Sequence, residues 1–313
     1  MMQVVHVLLA TYNGERHLPE QWQSLAQQRG VELVLHVADD GSADGTPALI
    51  ERLAARPEGA LRAVRVLRAP PRRSATRSFL LLLREALAGD GQARWFAFCD
   101  QDDVWQADKL QAALAVLAAA PADRPALYGG RTQSIDDDGR EMGLSPLFVR
   151  PPEFRNALVQ SIMGGNTMLM NRAAAELVIA AADDEVTAHD WFAYQVVSGA
   201  GGLVHYDARP FVLYRQHRDN VVGSNQGWRA RWRRLQRVLR GDYGQWNERH
   251  VRILQARAAR LTDEGRRVLQ AFAAARTASG PLRRWRWLRQ SGVFRQPGLQ
   301  QLSLYIACLL RRM

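Results

Sequence analysis

Four short apolar runs, each followed by a helix-like stretch, fill the first hundred residues and constrain the fold more than any other feature. Residues 4–9, 32–38, 63–67 and 95–99 are rich in β-branched, aliphatic or aromatic side chains, and the first run lacks the alternation of a strand with one wet face. A strand of that kind is covered on both faces, as in a parallel sheet flanked by helices. Between the runs, residues 19–28, 46–55 and 78–87 carry helical patterning, with Ser42 or Asp44 placed to cap the second helix. The βαβαβαβ order predicts an α/β fold with a doubly wound, mostly parallel sheet.

Ligands of such sheets bind in the crevice beyond the carboxyl ends of the strands. Here a polar cluster follows three strand ends: residues 11–15, Asp39-Asp40, and Asp100-Gln101-Asp102-Asp103. No Gly-x-Gly-x-x-Gly fingerprint follows the first run, which argues against a dinucleotide-binding oxidoreductase. Carboxylates as dense as residues 100–103 repel one another, and a divalent cation is the usual remedy. Mg²⁺ or Mn²⁺ keeps open positions for phosphate oxygens, so the cluster implies a bound diphosphate. The structural alternative is that Asp102 or Asp103 caps a helix over residues 107–119.

These residues resemble glycosyltransferase family 2, with the GT-A fold, in its rhamnosyltransferase-like branch. Ala10-Thr11-Tyr12-Asn13-Gly14-Glu15 is similar to the family's opening nucleotide-binding loop, and Asp39-Asp40-Gly41-Ser42 to its base- and ribose-contacting element. Phe98-Cys99-Asp100-Gln101-Asp102-Asp103-Val104-Trp105 has the form of the branch's D-x-D motif. Gly164-Gly165-Asn166 resembles the glycine loop near the donor sugar, and Ala188-His189-Asp190-Trp191 the segment carrying the catalytic base. Tyr214-Arg215-Gln216-His217 opens a late His motif, so the likeness spans roughly residues 3–225.

The resemblance implies a nucleotide-sugar donor, dTDP-L-rhamnose in that branch, and a glycan acceptor. Thr11, Tyr12, Glu15, Asp40, Asp100, Gly164 and Gly165 would contact the donor, and Asp102 and His217 would hold Mn²⁺ or Mg²⁺. A cation offsets charge growing on the departing diphosphate, and an imidazole ligand suits Mn²⁺ better than Mg²⁺. Asp190 would take the acceptor proton; its structural alternative is a helix cap, and His189 could orient the acceptor. One base without a second nucleophilic carboxylate predicts a single displacement with inversion. The chain departs from the branch at Arg72-Arg73-Ser74-Ala75-Thr76-Arg77-Ser78, where Gly and Asn are usual before Phe79. Those arginines would pair with the donor diphosphate through forked bonds, or would be solvated loop charge.

Charge divides the chain. Residues 228–313 hold 20 Arg against four acids, a surplus of 16 within a net charge of +11, so residues 1–227 are mildly acidic. We therefore expect a catalytic domain over residues 1–225 and an Arg- and Trp-rich helical region over 226–313. Trp228, Trp232, Leu235 and Leu239 fall at helical spacing with Arg opposite, and residues 281–289 repeat the theme. That is the pattern of a helix lying on an anionic membrane surface; the alternative is that these faces pack on the catalytic domain. A nucleic-acid partner is disfavoured, since no binding motif accompanies the Arg and Trp. Lys109 is the only lysine among 42 basic residues, a skew that genome base composition would also produce.

Cys99 and Cys308 suggest no disulfide framework, which fits a reducing compartment. Residues 1–9 read as a first strand rather than a leader, and no apolar run approaches the roughly 20 residues of a membrane span. The expected location is the cytoplasm, peripheral on the inner membrane face. Asp136-Asp137-Asp138-Gly139 reads as a solvated turn. A nucleotide-binding or RNA-associated scaffold without catalysis, and a nucleotidyltransferase, are the alternatives to a transferase.

Overall fold

The computed structural model describes residues 2–182, 185–216 and 242–313. Strands β1 (Gln3–Thr11), β2 (Val31–Asp39), β3 (Leu61–Leu67) and β4 (Trp95–Cys99) alternate with helices α1 (Leu18–Ala26), α2 (Thr46–Ala54) and α3 (Ala75–Gly89). Next come β5 (Val104–Trp105), α4 (Lys109–Leu117), β6 (Ala126–Gly130), β7 (Gln133–Ile135) and β8 (Glu141–Leu144). They are followed by α5 (Phe154–Ala157), β9 (Leu169–Asn171), α6 (Arg172–Ala181), α7 (His189–Gly199), β10 (Leu203–Asp207) and β11 (Val212–Arg215). The C-terminal region contributes α8 (Asp242–Ala256), α9 (Asp263–Thr277), α10 (Pro281–Ser291) and α11 (Gly298–Leu309).

The seven-stranded sheet runs β10-β6-β9-β4-β1-β2-β3. All its pairings are parallel except those of β9, which is antiparallel to both β4 and β6. Buried side chains alternate between the two faces of β1: Val5, Val7 and Leu9 join the core under α1, α2 and α4, while Leu8 faces the core of α3, α6 and α7. Both faces are dry, as the unbroken apolar run requires.

Two boundaries depart from the sequence expectation for identifiable reasons. Helix α3 starts three residues early because Ser74 caps it, its Oγ accepting the Arg77 N–H. Helix α4 starts late, with Asp108 as its N-cap residue, because β5 intervenes and pairs with β11. Asp102 and Asp103 therefore do not cap it. Instead, the acidic loop bridges β4 of the large sheet to β5 of a second sheet, ordered β5-β11-β7-β8.

The C-terminal helices share a core with the sheet. Val251, Leu254, Leu269 and Phe272 belong to the same cluster as Phe154, Phe192 and Val196. His250 Nε2 accepts the Thr187 N–H at 3.2 Å, and Asn247 Nδ2 donates to the Leu158 carbonyl. Helices α8 and α9 thus pack on the α5 and α7 side of the catalytic domain, whereas Leu282 of α10 is largely exposed and Trp285 and Trp287 are partly so. The segment carrying Trp228, Trp232, Leu235 and Leu239 lies outside the described residues. Among the described residues, no helix is long and apolar enough to cross a membrane.

Candidate active site

Because β1, β2 and β4 are parallel and adjacent, their carboxyl ends reach one rim: Thr11 pairs with Asp39 across β1–β2, and Leu9 with Cys99 across β1–β4. A cleft of about 2140 Å³ opens there. Ligand pockets usually measure about 300–1,000 Å³, so the space exceeds what one small molecule needs. Thr11, Tyr12, Asp40, Asp100, Asp102, Gly164, Gly165 and Asp190 all line it. Glu15 does not; its carboxylate accepts the Gly45 N–H at 2.9 Å and braces the start of α2. His217 lies outside the described residues.

The first two loops are locked by carboxylates and amides. Asp39 accepts from the Thr11 hydroxyl (2.9 Å) and from the Gly41 and Ser42 N–H groups (3.1 and 2.8 Å). Asp40 accepts from the backbone N–H groups of Arg72, Arg73 and Ser74, the last two at 2.9 Å. Its carboxylate therefore clasps the β3–α3 loop and sets Arg73, at φ 53°, on the cleft wall. Tyr12, more than half exposed, lines the same space.

Gln101, the middle residue of Asp-x-Asp, was given no role by the sequence. It joins the first loop to the acidic loop: the Tyr12 N–H donates to its Oε1 and its Nε2 donates to the Tyr12 carbonyl, both at 2.8 Å. The side-chain amide thereby imitates a rung of sheet pairing. Gly14 makes room for it, since a Cβ at that position would sit 2.2 Å from Gln101 Oε1.

The four positions of the acidic loop have different environments. Asp103 is fully buried and accepts from Asn166 Nδ2 (2.5 Å) and the Arg215 N–H (3.3 Å). Burial, with the charges of Asp102 and Asp100 beside it, holds its carboxyl well above the usual range. Burial likewise pushes Asp100 up to about 7, helped by Asp102 and Asp190. The Arg215 guanidinium, almost wholly buried, donates to the carbonyls of Asp102, Asp136 and Asp137 and to Glu20. Behind the loop, Lys109 Nζ lies 3.4 Å from the centre of the Trp105 ring, and burial lowers its pKa to about 7. Asn166 and Arg215 belong to the Gly-Gly-Asn and late His motifs, but their tasks depend on contacts 63 and 112 residues away along the chain, which spacing does not reveal.

Opposite, α7 begins at His189, so Asp190 lies in its first turn and is not the N-cap residue. Asp190 Oδ2 accepts the Gly165 N–H at 3.2 Å, and Oδ1 accepts the Trp191 N–H at 2.7 Å. The His189 ring stacks on Phe79 at 4.3 Å and meets Phe98 edge-on at 4.6 Å. Its buried Nε2 faces Gly165, where a Cβ would intrude to 2.6 Å. Gly165 is thus required by the close approach of His189. Burial lowers the His189 pKa, against the opposing charge of Asp190, and so favours the neutral ring. Asp137, in the turn expected to be solvated, pairs with Arg16 (2.8 Å) and His17 (3.3 Å) and lines the cleft.

Crowding of Asp100 by Asp102 and Asp190 suits a divalent cation, which would relieve the repulsion that burial intensifies. Among the described residues, no three His, Cys, Asp or Glu side chains already form a metal cluster.

Comparison with known proteins agrees with this geometry. The profile described as glycosyl transferase family 2 matches residues 6–178. A dTDP-rhamnosyl transferase, RfbG of Shigella flexneri, is 26% identical over 240 residues, which span 72% of this chain and 78% of that one. S. aureus TarS 1–349 in complex with UDP-GlcNAc superposes with a TM-score of 0.52 at 14% identity, covering 98% of this chain and 82% of that chain. Against a longer TarS chain, the match spans 37% of its length. The mannosyltransferase PcManGT from Pyrobaculum calidifontis, in complex with GDP-Man and Mn²⁺, gives 0.51 at 19% identity, covering 99% and 85%. With more than half of its length matched by the family profile and with this sheet order, the chain belongs to glycosyl transferase family 2 and is a glycosyltransferase of the GT-A fold.

Proposed function

We propose that the protein is an inverting, cation-dependent transferase that moves a sugar, L-rhamnose from dTDP-L-rhamnose, from a nucleotide donor to a hydroxyl of a growing glycan. The observation that carries this reading is the facing of Asp190 and the Asp100–Asp103 loop across one cleft, close enough for their charges to interact. The relatives support a nucleotide-sugar donor: TarS is described with UDP-GlcNAc, PcManGT with GDP-Man and Mn²⁺, and RfbG as a dTDP-rhamnosyl transferase.

Tyr12, Thr11 and Asp40 would meet the nucleoside, and Asp100, Gly164 and Gly165 would bound the donor sugar and diphosphate. Asp102, with His217, would hold Mn²⁺ or Mg²⁺, which supplies a Lewis acid for charge developing on the leaving diphosphate. Asp190 takes the acceptor proton as the hydroxyl attacks. The Gly165 N–H fixes the orientation of that carboxylate. Residues 1–225 form the catalytic domain in this reading. Residues 226–313 attach it to the inner membrane face, where a lipid-linked acceptor would be presented.

The test is transfer from dTDP-L-rhamnose with Mn²⁺ to an acceptor glycan, read by product anomer and released nucleotide. Inverted product and free dTDP support the reading. Retained configuration, or pyrophosphate release as from a nucleotidyltransferase, would refute it.

A further inference from the structure

Helix α11 has two faces of unusual character. Leu299, Leu302, Ile306 and Leu309 recur at spacings of three, four and three, which aligns them on one side of a helix. That side points to solvent: Leu299 is 84% exposed, Leu302 56% and Ile306 49%. The opposite side, Leu304 and Cys308, is buried in the shared core. Between these faces, Gln300, Ser303 and Ala307 line the cleft that contains Asp100 and Asp190. The exposed apolar stripe therefore lies beside residues that line the active-site cleft.

Helix α10 extends the same surface. Arg284 near its start donates to the carbonyls of Cys308 and Leu309 at the end of α11, at 3.0 and 2.6 Å, so the two helices lie antiparallel. Leu282, 79% exposed, and Trp285 stand at that end. Residues 281–313 contain seven arginines and no acid.

Aligned exposed leucines of this extent mark an interaction surface. The arginines select its partner. A symmetric second copy would bring arginine-rich surfaces together, whereas anionic headgroups would neutralise them. Twelve residues are too short to span a bilayer and suited to lying in its interface. We propose that the outward face of α11, flanked by the arginines of α10, docks on an anionic phospholipid bilayer and holds the mouth of the cleft against it. This docking rests on the membrane attachment proposed above, to which it assigns a face, and it lets an acceptor displayed on a lipid carrier reach Asp190 without leaving the membrane surface.

The full-length protein is mixed with vesicles of phosphatidylcholine alone or with added phosphatidylglycerol, and partitioning is measured by sedimentation. The expected result is binding to the anionic vesicles only, weakened by salt. The double substitution Leu302→Glu with Ile306→Glu is expected to lower partitioning about a hundredfold or more, with the unfolding midpoint and the oligomeric state unchanged. If that variant fails to fold, Arg283→Gln with Arg286→Gln serves, at about fivefold loss per charge. Absence of binding to anionic vesicles, unaltered binding by folded variants, or a dimer that Leu302→Glu with Ile306→Glu splits into monomers would overturn the proposal. The readout uses no sugar donor, so a protein that docks without transferring sugar would refute the function proposed above and not this one.

Discussion

Two clusters of buried ionisable groups lie on the same sheet, one at the carboxyl ends of the strands and one near the middle of β1 and β2. In the second, His6 Nδ1 and His36 Nε2 are 3.0 Å apart, and His6 Nε2 lies 3.4 Å from the Asp90 carboxylate. Loss of solvent is the largest influence on both clusters: it raises Asp100 and Asp103 and lowers His6 and His36, the latter to about 4. Their surroundings differ. The histidines are enclosed by the core and neutralise themselves, whereas Asp100 opens on a large cleft beside two other acids. Perturbed ionisation marks a candidate site only where a ligand can reach it; elsewhere it is a property of the fold.

The contrast breaks down if the acidic rim proves to be mere structure. Asp102→Asn is expected to lower kcat/KM about a thousandfold by removing charge stabilisation from the leaving group. Asp190→Asn should cost about a hundredfold or more in kcat while donor KM barely moves, as loss of a base requires. Stopped steady-state assays with intact unfolding midpoints check both. Next in size, Arg215→Met should destabilise the protein by about 3 kcal/mol, because it leaves the carbonyls of Asp102, Asp136 and Asp137 without their buried donor; denaturant unfolding measures it. Gln101→Ala should raise donor KM about tenfold with kcat nearly unchanged, since it frees the Tyr12 loop from the acidic loop without touching the acids.

The smallest effect belongs to the histidine pair. Their folded pKa values lie below the ordinary 6.5, so the unfolded chain binds protons that the folded chain refuses. Stability is therefore whole above about pH 6.5 and falls as pH drops toward about 4. Calorimetric melting points across that range should decline less steeply in His36→Phe, with transfer activity at neutral pH unaltered.

The rim was legible because it depends on local order: an apolar run followed by a polar or acidic cluster, repeated three times, assembles at one edge of a parallel sheet. Helix identity was legible for the same reason, and boundaries failed where a cap or a short strand intervened, as at Ser74 and Val104–Trp105. The supports of the rim were not legible. Nothing local distinguishes Gln101 from any other polar residue, and its partner is 89 residues away. Glu15 shows the converse, a motif residue whose carboxylate is used to anchor Gly45. The charge division of the chain suggests a division of tasks, and the structure qualifies it: α8 and α9 share the catalytic core, while α10 and α11 carry the exposed apolar faces.

The central claim is that the Asp100–Asp103 loop binds a nucleoside diphosphate through a divalent cation. Thermal unfolding with dTDP, UDP or GDP, each with Mn²⁺ or with chelator, tests it most directly, because a ligand bound only to the folded state raises the midpoint. The account predicts a rise that needs nucleotide and cation together and that Asp102→Asn abolishes. A rise of equal size with chelator present, or in Asp102→Asn, would contradict it.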